Sequence, residues 1–258
     1  DGLHIAIHEA ALVDYAGFWL QRIDGQRFRT RLSPSSQPWK VGRSAPFETP
    51  WRVVMIADDA SGLYAASDII LNLNEPNKLG DVSWVKPLKY VGIWWAMHLD
   101  QASWHSGPKH GATTAHAMTM IDFAAKHGFD AVLIEGWNVG WDGNWIGDHG
   151  ANFEFAKAYP DFDMAKVAAY AKARGVKIIG HHETAGNAGR YESQLGAAMD
   201  YYAKFGVPAV KTGYVADAGG VLGADAAGRR VWEWHDGQFM ARHHLLVVTE
   251  AAKRHIAI

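Results

Sequence analysis

The chain has 258 residues, about the length of one large domain or two small ones. Its 25 lysines and arginines nearly balance its 27 aspartates and glutamates, so nothing indicates the basic surface typical of nucleic-acid or membrane binding. The absence of cysteine excludes disulfides, zinc–thiolate sites and thiol nucleophiles. No apolar run reaches the ~18 residues of a membrane-spanning helix. Tryptophan is abundant, with 12 residues, and indole rings can bind flat apolar ligands such as sugar rings.

The N-terminal third of the chain has the pattern of antiparallel strands. Alternating, β-branched or aromatic residues predict strands at 3–12, 26–32, 51–57 and 68–73. The segments between them are rich in Pro, Ser, Asp and Gly, which form turns. We therefore predict that residues 1–78 belong to an antiparallel β-sandwich, as its C-terminal part, and that residues 79–89 form a linker.

A different unit recurs from Tyr90 onward: an Ala-rich helix, a Gly or basic residue that closes it, and a short apolar strand. The predicted strands begin near residues 90, 131, 176, 209 and 255, a spacing typical of β–α units. Their consecutive Val and Ile residues predict a parallel sheet that is covered on both faces. Either an open doubly wound α/β sheet or a (β/α)8 barrel would produce this pattern.

Polar and aromatic residues gather after the C-terminal end of these strands, where the active sites of (β/α)8 barrels lie. The position of these residues favours an α/β fold of the TIM-barrel type over residues 90–258, with about the first five strands present. Five strands cannot close such a barrel. We therefore expect the sequence to be a piece of a longer polypeptide.

The strongest candidates for chemistry are Glu135, Glu183 and Lys211, each at the end of a predicted strand. The carboxyl ends of parallel strands meet at one edge, so we expect these side chains to share a pocket. Glu183 is a candidate general base for a water molecule. The structural alternatives are an ion pair with Lys211 and a cap for the turn before Tyr191. Glu135 and Lys211 each need a polar partner because an unpaired buried charge is costly. They can pair with one another or bind a substrate, and the histidine pair at 181–182 is a further possible partner for Glu135.

Two aromatic features remain open on the sequence alone. His181 and His182 are adjacent and point to opposite sides of an extended strand, so only one of them can face the site. Trp137, Trp141 and Trp145 lie in a Gly-rich loop and form either a platform for sugar or a packed rim, of which the packed rim is favoured. The glycine-rich segment 219–223 predicts a flexible loop rather than a phosphate-binding loop.

Several strings over essentially the whole chain resemble glycoside hydrolase family 97. The clearest are Glu-Gly-Trp-Asn at 135–138, Tyr-Pro-Asp-Phe-Asp at 159–163, Gly-His-His-Glu-Thr at 180–184 and Lys-Thr-Gly-Tyr-Val at 211–215. The resemblance implies an N-terminal β-sandwich, a (β/α)8 barrel and a small C-terminal β domain. It also implies a calcium-dependent α-glucosidase or α-galactosidase that acts on oligosaccharides in the periplasm or outside the cell. It says nothing of the oligomeric state.

Carried over position by position, the resemblance gives Glu183 the role of the base. Glu135, His181 and Lys211 match positions that contact substrate, and Trp84 resembles an aromatic residue at the sugar pocket. Gly213 occupies the place where retaining members carry a nucleophilic Asp, so the resemblance implies the inverting α-glucosidase branch.

The resemblance further implies that the general acid and the calcium ligands lie outside this sequence. No metal ligand is therefore assigned here. We expect the 258-residue piece alone to be inactive.

Two other functions fit the residues less well. A metal-dependent hydrolase of the amidohydrolase kind could use Lys211, His181 and His182, but the first strand ends in Trp-Trp-Ala-Met-His and lacks the His-x-His pair of that site. A carbohydrate-binding barrel without catalytic activity is the non-enzymatic alternative. Carboxylates downstream of residue 258 would distinguish an enzyme from such a binding protein.

Overall fold

The computed structural model of the protein describes residues 2–258. The chain divides into two compact units. The first comprises the residues up to Gly80 together with Trp232–Leu245, and the second comprises Asp81–Val231 and Leu246–Ile258. Among the described residues, no helix combines the length and the apolar character needed to cross a bilayer.

The first unit contains two separate two-stranded antiparallel sheets. One pairs β1 with β4, and the other pairs β2 with β3. Three of the predicted strands are confirmed, β2 was not predicted, and the β-sandwich stays a prediction. The elements of this segment are β1 (His4–Ala10), β2 (Phe18–Asp24), β3 (Arg27–Leu32), β4 (Trp51–Ala57), α1 (Ala60–Ala65) and α2 (Ser67–Asn72).

The strand predicted at 68–73 is wrong, because this segment is the helix α2. A short apolar run such as Ile69, Ile70 and Leu71 fits a strand and a helix equally well. Nearby, the side chain of Asp59 accepts a hydrogen bond from the backbone N–H of Gly62 and caps α1. The segment that was interpreted as a turn therefore starts a pair of short helices.

The second unit is built around a four-stranded parallel sheet with the strand order β5-β6-β7-β8. The strands predicted near 90, 131, 176 and 209 are confirmed, whereas the predicted fifth strand contributes a single parallel bridge from Ala257 to Ala209. The boundaries between the two units fall within β10 and α7. From residue 90 onward the elements are β5 (Tyr90–Ile93), α3 (Trp95–His98), α4 (Thr114–His127), β6 (Ala131–Ile134), α5 (Met164–Ala173), β7 (Lys177–Glu183), α6 (Ala188–Lys204), β8 (Ala209–Gly213), β9 (Val221–Ala224), β10 (Arg230–Glu233) and α7 (Gln238–Ala252).

Local sequence explains where the long helices begin and end. The Asp163 carboxylate accepts a hydrogen bond from the Lys166 N–H and caps the start of α5. Gly128 ends α4 in the left-handed conformation with φ of 71°, which glycine adopts without steric cost. The expected flexible loop at 219–223 is wrong in part, since Val221–Ala224 forms β9 and pairs with β10.

The two faces of the parallel sheet differ, as strand alternation requires. Val132, Ile178 and Val210 lie on the face that packs against buried residues of the helices. Leu133 and Ile179 lie on the opposite face, in a second and smaller apolar cluster. Side chains that continue this second face toward the C-terminal ends of the strands form the candidate site.

Candidate active site

Three predicted site residues form a row on the second face of the sheet. His181 pairs with Lys211 in the register between β7 and β8. Between β6 and β7 the last paired residues are Leu133 and Ile179. Continuing that register by two residues places Glu135 beside His181. Lys211 Nζ donates a hydrogen bond of 2.6 Å to Glu135 Oε1, and His181 Nε2 lies 3.7 Å from the same oxygen. The structure thus brings Glu135 and Lys211 together, as their positions at strand ends predict, and adds His181, which the resemblance placed at the site.

The two adjacent histidines point to opposite sides of β7, and only His181 faces the site. His182 lies on the helix side, is fully buried, and places its Nδ1 2.9 Å from the Tyr191 hydroxyl. Burial lowers the pKa of both histidines to about 3. The charge of Lys211 lowers the pKa of His181 further. His181 in turn lowers the pKa of His182. Both imidazoles are therefore neutral near pH 7, so the contact between His181 and Glu135 is not an ion pair.

Glu183 lies two residues beyond His181 on the same face of β7. Its Oε1 accepts three backbone hydrogen bonds, from the N–H groups of Thr184, Ala185 and Val215, at 3.1, 2.7 and 2.9 Å. No described residue donates a hydrogen bond to Oε2. The carboxylate is therefore held by one oxygen and presents the other.

Burial raises the pKa of Glu183, the three backbone hydrogen bonds oppose this shift, and the negative charge of Glu135 adds to it. The ion pair between Glu183 and Lys211 that we considered is not formed, since Lys211 binds Glu135 instead.

Gly213 faces Glu183 as its register partner on β8. A Cβ atom at position 213 would lie 2.0 Å from Glu183 Oε2 and 2.9 Å from its Cδ, which is far inside van der Waals contact. The carboxylate thus occupies the space that any side chain at position 213 would enter. Glu183 in this position and a nucleophilic Asp at position 213 exclude each other.

An indole that sequence reasoning missed completes the environment of Glu135. Trp104 Nε1 donates to Glu135 Oε2 at 3.4 Å, and its ring stacks on Trp141 with a centroid distance of 6.1 Å. Trp141 in turn stacks on His181 at 6.0 Å. Trp104 lies in the loop after α3 rather than at a strand end, so no pattern in the sequence singles it out among the tryptophans.

The three tryptophans of the Gly-rich loop pack inside the unit. Trp137 and Trp141 are almost completely buried in the main core, and Trp145 is partly buried against it. The packing interpretation is therefore the one that the structure supports. The sheet end carries one further indole, Trp94, whose ring centre lies 5.4 Å from Lys211 Nζ.

Trp84 is the predicted site residue that the structure does not bring to this group. Its ring stacks on His255 with a centroid distance of 5.4 Å, and its Nε1 donates to the backbone oxygen of Asp81 at 3.0 Å. Trp84 comes before β5, and His255 comes before the bridging residue Ala257. Glu135, in contrast, follows the end of β6, and Lys211 lies near the end of β8. The role of Trp84 in sugar binding stays a prediction.

Within residues 2–258, no three His, Asp or Glu side chains converge in a group that could hold a metal ion. This finding gives no support to the metal-dependent amidohydrolase alternative. The expectation of calcium, which rests on ligands outside this sequence, stays a prediction.

Comparisons with known proteins agree with this geometry. The profile of the glycoside hydrolase 97 family matches residues 94–258, and that of the glycosyl-hydrolase 97 N-terminal domain matches residues 1–76. A solved family 97 enzyme from Pseudoalteromonas sp. strain K8, in complex with acarbose, is 52% identical over 99% of this chain and 38% of its own, with a TM-score of 0.95. A variant of a family 97 enzyme from the same strain, in complex with panose, matches equally well.

A more distant relative is a retaining α-galactosidase from Bacteroides thetaiotaomicron, 25% identical over 83% of this chain and 33% of its own length. The chain therefore spans 33% to 38% of the length of these relatives. The profile of the glycoside hydrolase 97 family covers more than half of the chain. The matched part includes Glu135, Lys211 and the whole of β7. The chain belongs to glycoside hydrolase family 97.

Proposed function

We propose that this chain carries part of the active site of a glycosidase that cleaves terminal α-glucosidic bonds of oligosaccharides with inversion. Glu183 is the general base that activates the attacking water molecule. Relatives have been solved with acarbose and with panose, which supports an oligosaccharide as the ligand here. The general acid that inversion also requires is proposed to lie outside these 258 residues.

The observation that carries the proposal is that hydrogen bonds hold only one of the two carboxylate oxygens of Glu183. A general base must be oriented and must keep one lone pair for the proton that it accepts. Three main-chain donors orient Oε1, and Oε2 has no donor among the described residues. The pKa of this carboxyl group is raised by burial, which increases its affinity for the proton of a bound water molecule.

The row of Glu135, His181 and Lys211 is proposed to recognise the sugar. A carboxylate accepts hydrogen bonds, an ammonium group donates them, and a neutral imidazole does either. Hydroxyl groups of a pyranose need this mixture of partners. Because Lys211 is about half exposed while Glu135 is buried, the ammonium group is the more accessible of the pair.

The stereochemical part of the proposal rests on Gly213. Retaining glycosidases place two carboxyl groups about 5 Å apart, one of them as a nucleophile, whereas inverting enzymes leave a wider gap that admits water. A nucleophilic carboxylate at position 213 is sterically incompatible with Glu183 as it lies here. Retention is the second candidate because a relative that is 25% identical over 83% of this chain is a retaining α-galactosidase.

The wider fold is proposed to be a (β/α)8 barrel. The parallel order β5-β6-β7-β8 and the further bridge from Ala257 to Ala209 continue the sheet in one direction. The site residues lie on the face away from the helices, which would become the interior of such a barrel. Calcium dependence is proposed from the family resemblance alone, and loss of activity on chelation in the complete gene product would support it.

The test is the anomeric configuration of the first product, followed by NMR as the complete gene product hydrolyses an α-glucoside. Inversion predicts that the β-anomer appears first; an α-anomer as the first product would overturn the assignment of Gly213. Glu183→Gln should lower kcat by about 10²- to 10⁴-fold, the usual contribution of a general base. Glu154→Gln, at a surface glutamate paired with Lys157, is the matched control and should leave kcat unchanged. Binding of the sugar without hydrolysis by the wild-type gene product would instead favour the binding-protein alternative.

A further inference from the structure

The hydrogen-bond ladder between β6 and β7 stops short of the candidate site. The two strands pair from Ala131 and Lys177 to Leu133 and Ile179, and no further. On its other side β7 remains paired with β8 as far as Glu183. A continued ladder would give the backbone groups of His181 partners on β6. Something else must satisfy them, because buried backbone groups are rarely left without a partner.

The hydroxyl group of Tyr202 fills this place. It accepts a hydrogen bond from the His181 N–H at 2.8 Å and donates one to the His181 carbonyl oxygen at 3.1 Å. It also accepts a hydrogen bond from Trp137 Nε1 at 2.9 Å. Tyr202 comes from α6 and is fully buried. Trp137 Nε1 also lies 3.3 Å from the His181 carbonyl oxygen, but only Tyr202 binds both the N–H and the carbonyl oxygen of His181, as a strand partner would.

Gly180 makes this approach possible. A Cβ atom at position 180 would lie 2.3 Å from Cζ of Tyr202, so any larger residue there would push the ring away from β7. The same ring stacks on His182, with a centroid distance of 4.8 Å. The tyrosine ring is therefore held against β7 by two of its residues, Gly180 and His182.

We infer that Tyr202 is a positioning residue for the sugar site: its hydroxyl holds the main chain of His181 and keeps β6 and β7 from pairing where Glu135 and His181 lie. This inference rests on the proposed function. With the strands held in this way, His181 Nε2 stays 3.7 Å from Glu135 Oε1, which is too long for a hydrogen bond. Both atoms are then left to bind hydroxyl groups of the substrate rather than one another.

The chain offers a matched control on the same helix. Tyr191 is also fully buried on α6, and its hydroxyl lies 2.9 Å from Nδ1 of His182, the histidine that faces away from the site. Tyr191→Phe and Tyr202→Phe each remove one buried hydroxyl group. A purely structural role predicts that both substitutions act alike on the site, in proportion to their effect on stability.

The experiment compares both variants in the complete gene product by crystal structure and by kinetics with an α-glucoside. We expect the distance between Glu135 Oε1 and His181 Nε2 to change by at least about 0.5 Å in Tyr202→Phe, the tolerance within which functional sites are held, and not in Tyr191→Phe. KM should rise by up to about tenfold in Tyr202→Phe, the effect of one lost hydrogen bond, with a smaller change in kcat.

An unchanged distance and KM in Tyr202→Phe, or equal changes in both variants, would overturn the inference. If the wild-type protein hydrolyses no α-glucoside, the proposed function fails, while the measured distance still decides whether Tyr202 positions His181. Should Tyr202→Phe not fold, 3-fluorotyrosine at position 202 keeps the ring and makes the hydroxyl a weaker acceptor. The amide proton of His181 should then shift upfield, and an unchanged shift would contradict the inference.

Discussion

Gly213 and Glu183 lie opposite each other on adjacent strands, and the carboxylate of Glu183 fills the space where a side chain of residue 213 would begin. The pair links two sequence positions that are 30 residues apart along the chain. Because residue 213 has no side chain, the carboxylate of Glu183 can occupy this space.

Gly213→Ala should displace the Glu183 carboxylate and lower kcat/KM by about 100-fold, since a shift of about 1 Å in a catalytic group has an effect of this size. The matched control is Gly196→Ala in α6, where the nearest atom to a new Cβ is 3.9 Å away. That substitution should leave activity unchanged and stability equal or higher, because alanine favours helices. Steady-state kinetics of the complete gene product check both. Full activity of Gly213→Ala would show that Glu183 tolerates a neighbour there.

Lys211→Met should weaken sugar binding and destabilise the site, because Glu135 is buried and loses its cation. A hydrogen bond between charged groups contributes roughly 1.5–3 kcal/mol, so we expect KM to rise by about ten- to a hundredfold. Lys177→Met, at the exposed start of β7, is the control with no expected effect. A double-mutant cycle with Glu135→Gln should give a coupling energy clearly above zero, and purely additive effects would contradict the pairing.

Trp104→Phe should raise KM by about fivefold, because it removes one donor to Glu135 Oε2 while keeping an aromatic ring in the stack. The control is Trp141→Phe, which changes the same stack but removes a donor to Asn138 Oδ1 instead. Kinetics of the two variants separate the hydrogen bond from the stacking. Equal effects of both substitutions would assign the role to packing alone.

The two buried histidines make stability depend on pH. Their folded-state pKa of about 3 lies below the ordinary value of 6.5, so the unfolded chain binds more protons between these limits. The free energy of unfolding must therefore fall as the pH falls from about 6.5 toward 3. His182→Phe removes one of the two groups and should reduce the slope near pH 5 by up to ~1.4 kcal/mol per pH unit. Denaturant titrations at several pH values measure this slope, and an unaltered slope would show that His182 does not titrate in this way.

Strand ends were the most informative feature of the sequence. Glu135, Glu183 and Lys211 could be predicted to share a pocket because a parallel sheet aligns its carboxyl ends, and Glu135 and Lys211 do meet. The strand pattern alone left the choice between His181 and His182 open, since it depends on which face of β7 packs against helices. The family resemblance assigned His181 to the site, and the structure places it beside Glu135. The partners of Glu183 were equally hidden: they are backbone N–H groups, which every residue carries.

Residues outside the strands were harder to place. Trp104 reaches Glu135 from a loop, and Tyr202 reaches His181 from the helix layer, so their roles depend on tertiary packing that no local pattern encodes. The short apolar run at 69–71 was assigned to a strand because three consecutive apolar residues carry no period. The roles of Trp104 and Tyr202 were missed because their contacts join segments far apart in the chain, whereas the error at 69–71 is a local ambiguity.

The orientation of Glu183 depends on main-chain groups from two separate loop segments, at residues 184–185 and at residue 215. The three hydrogen bonds that align the carboxylate therefore do not depend on which side chains these positions carry. Proline is the exception, because it alone lacks the proton that each of these positions contributes.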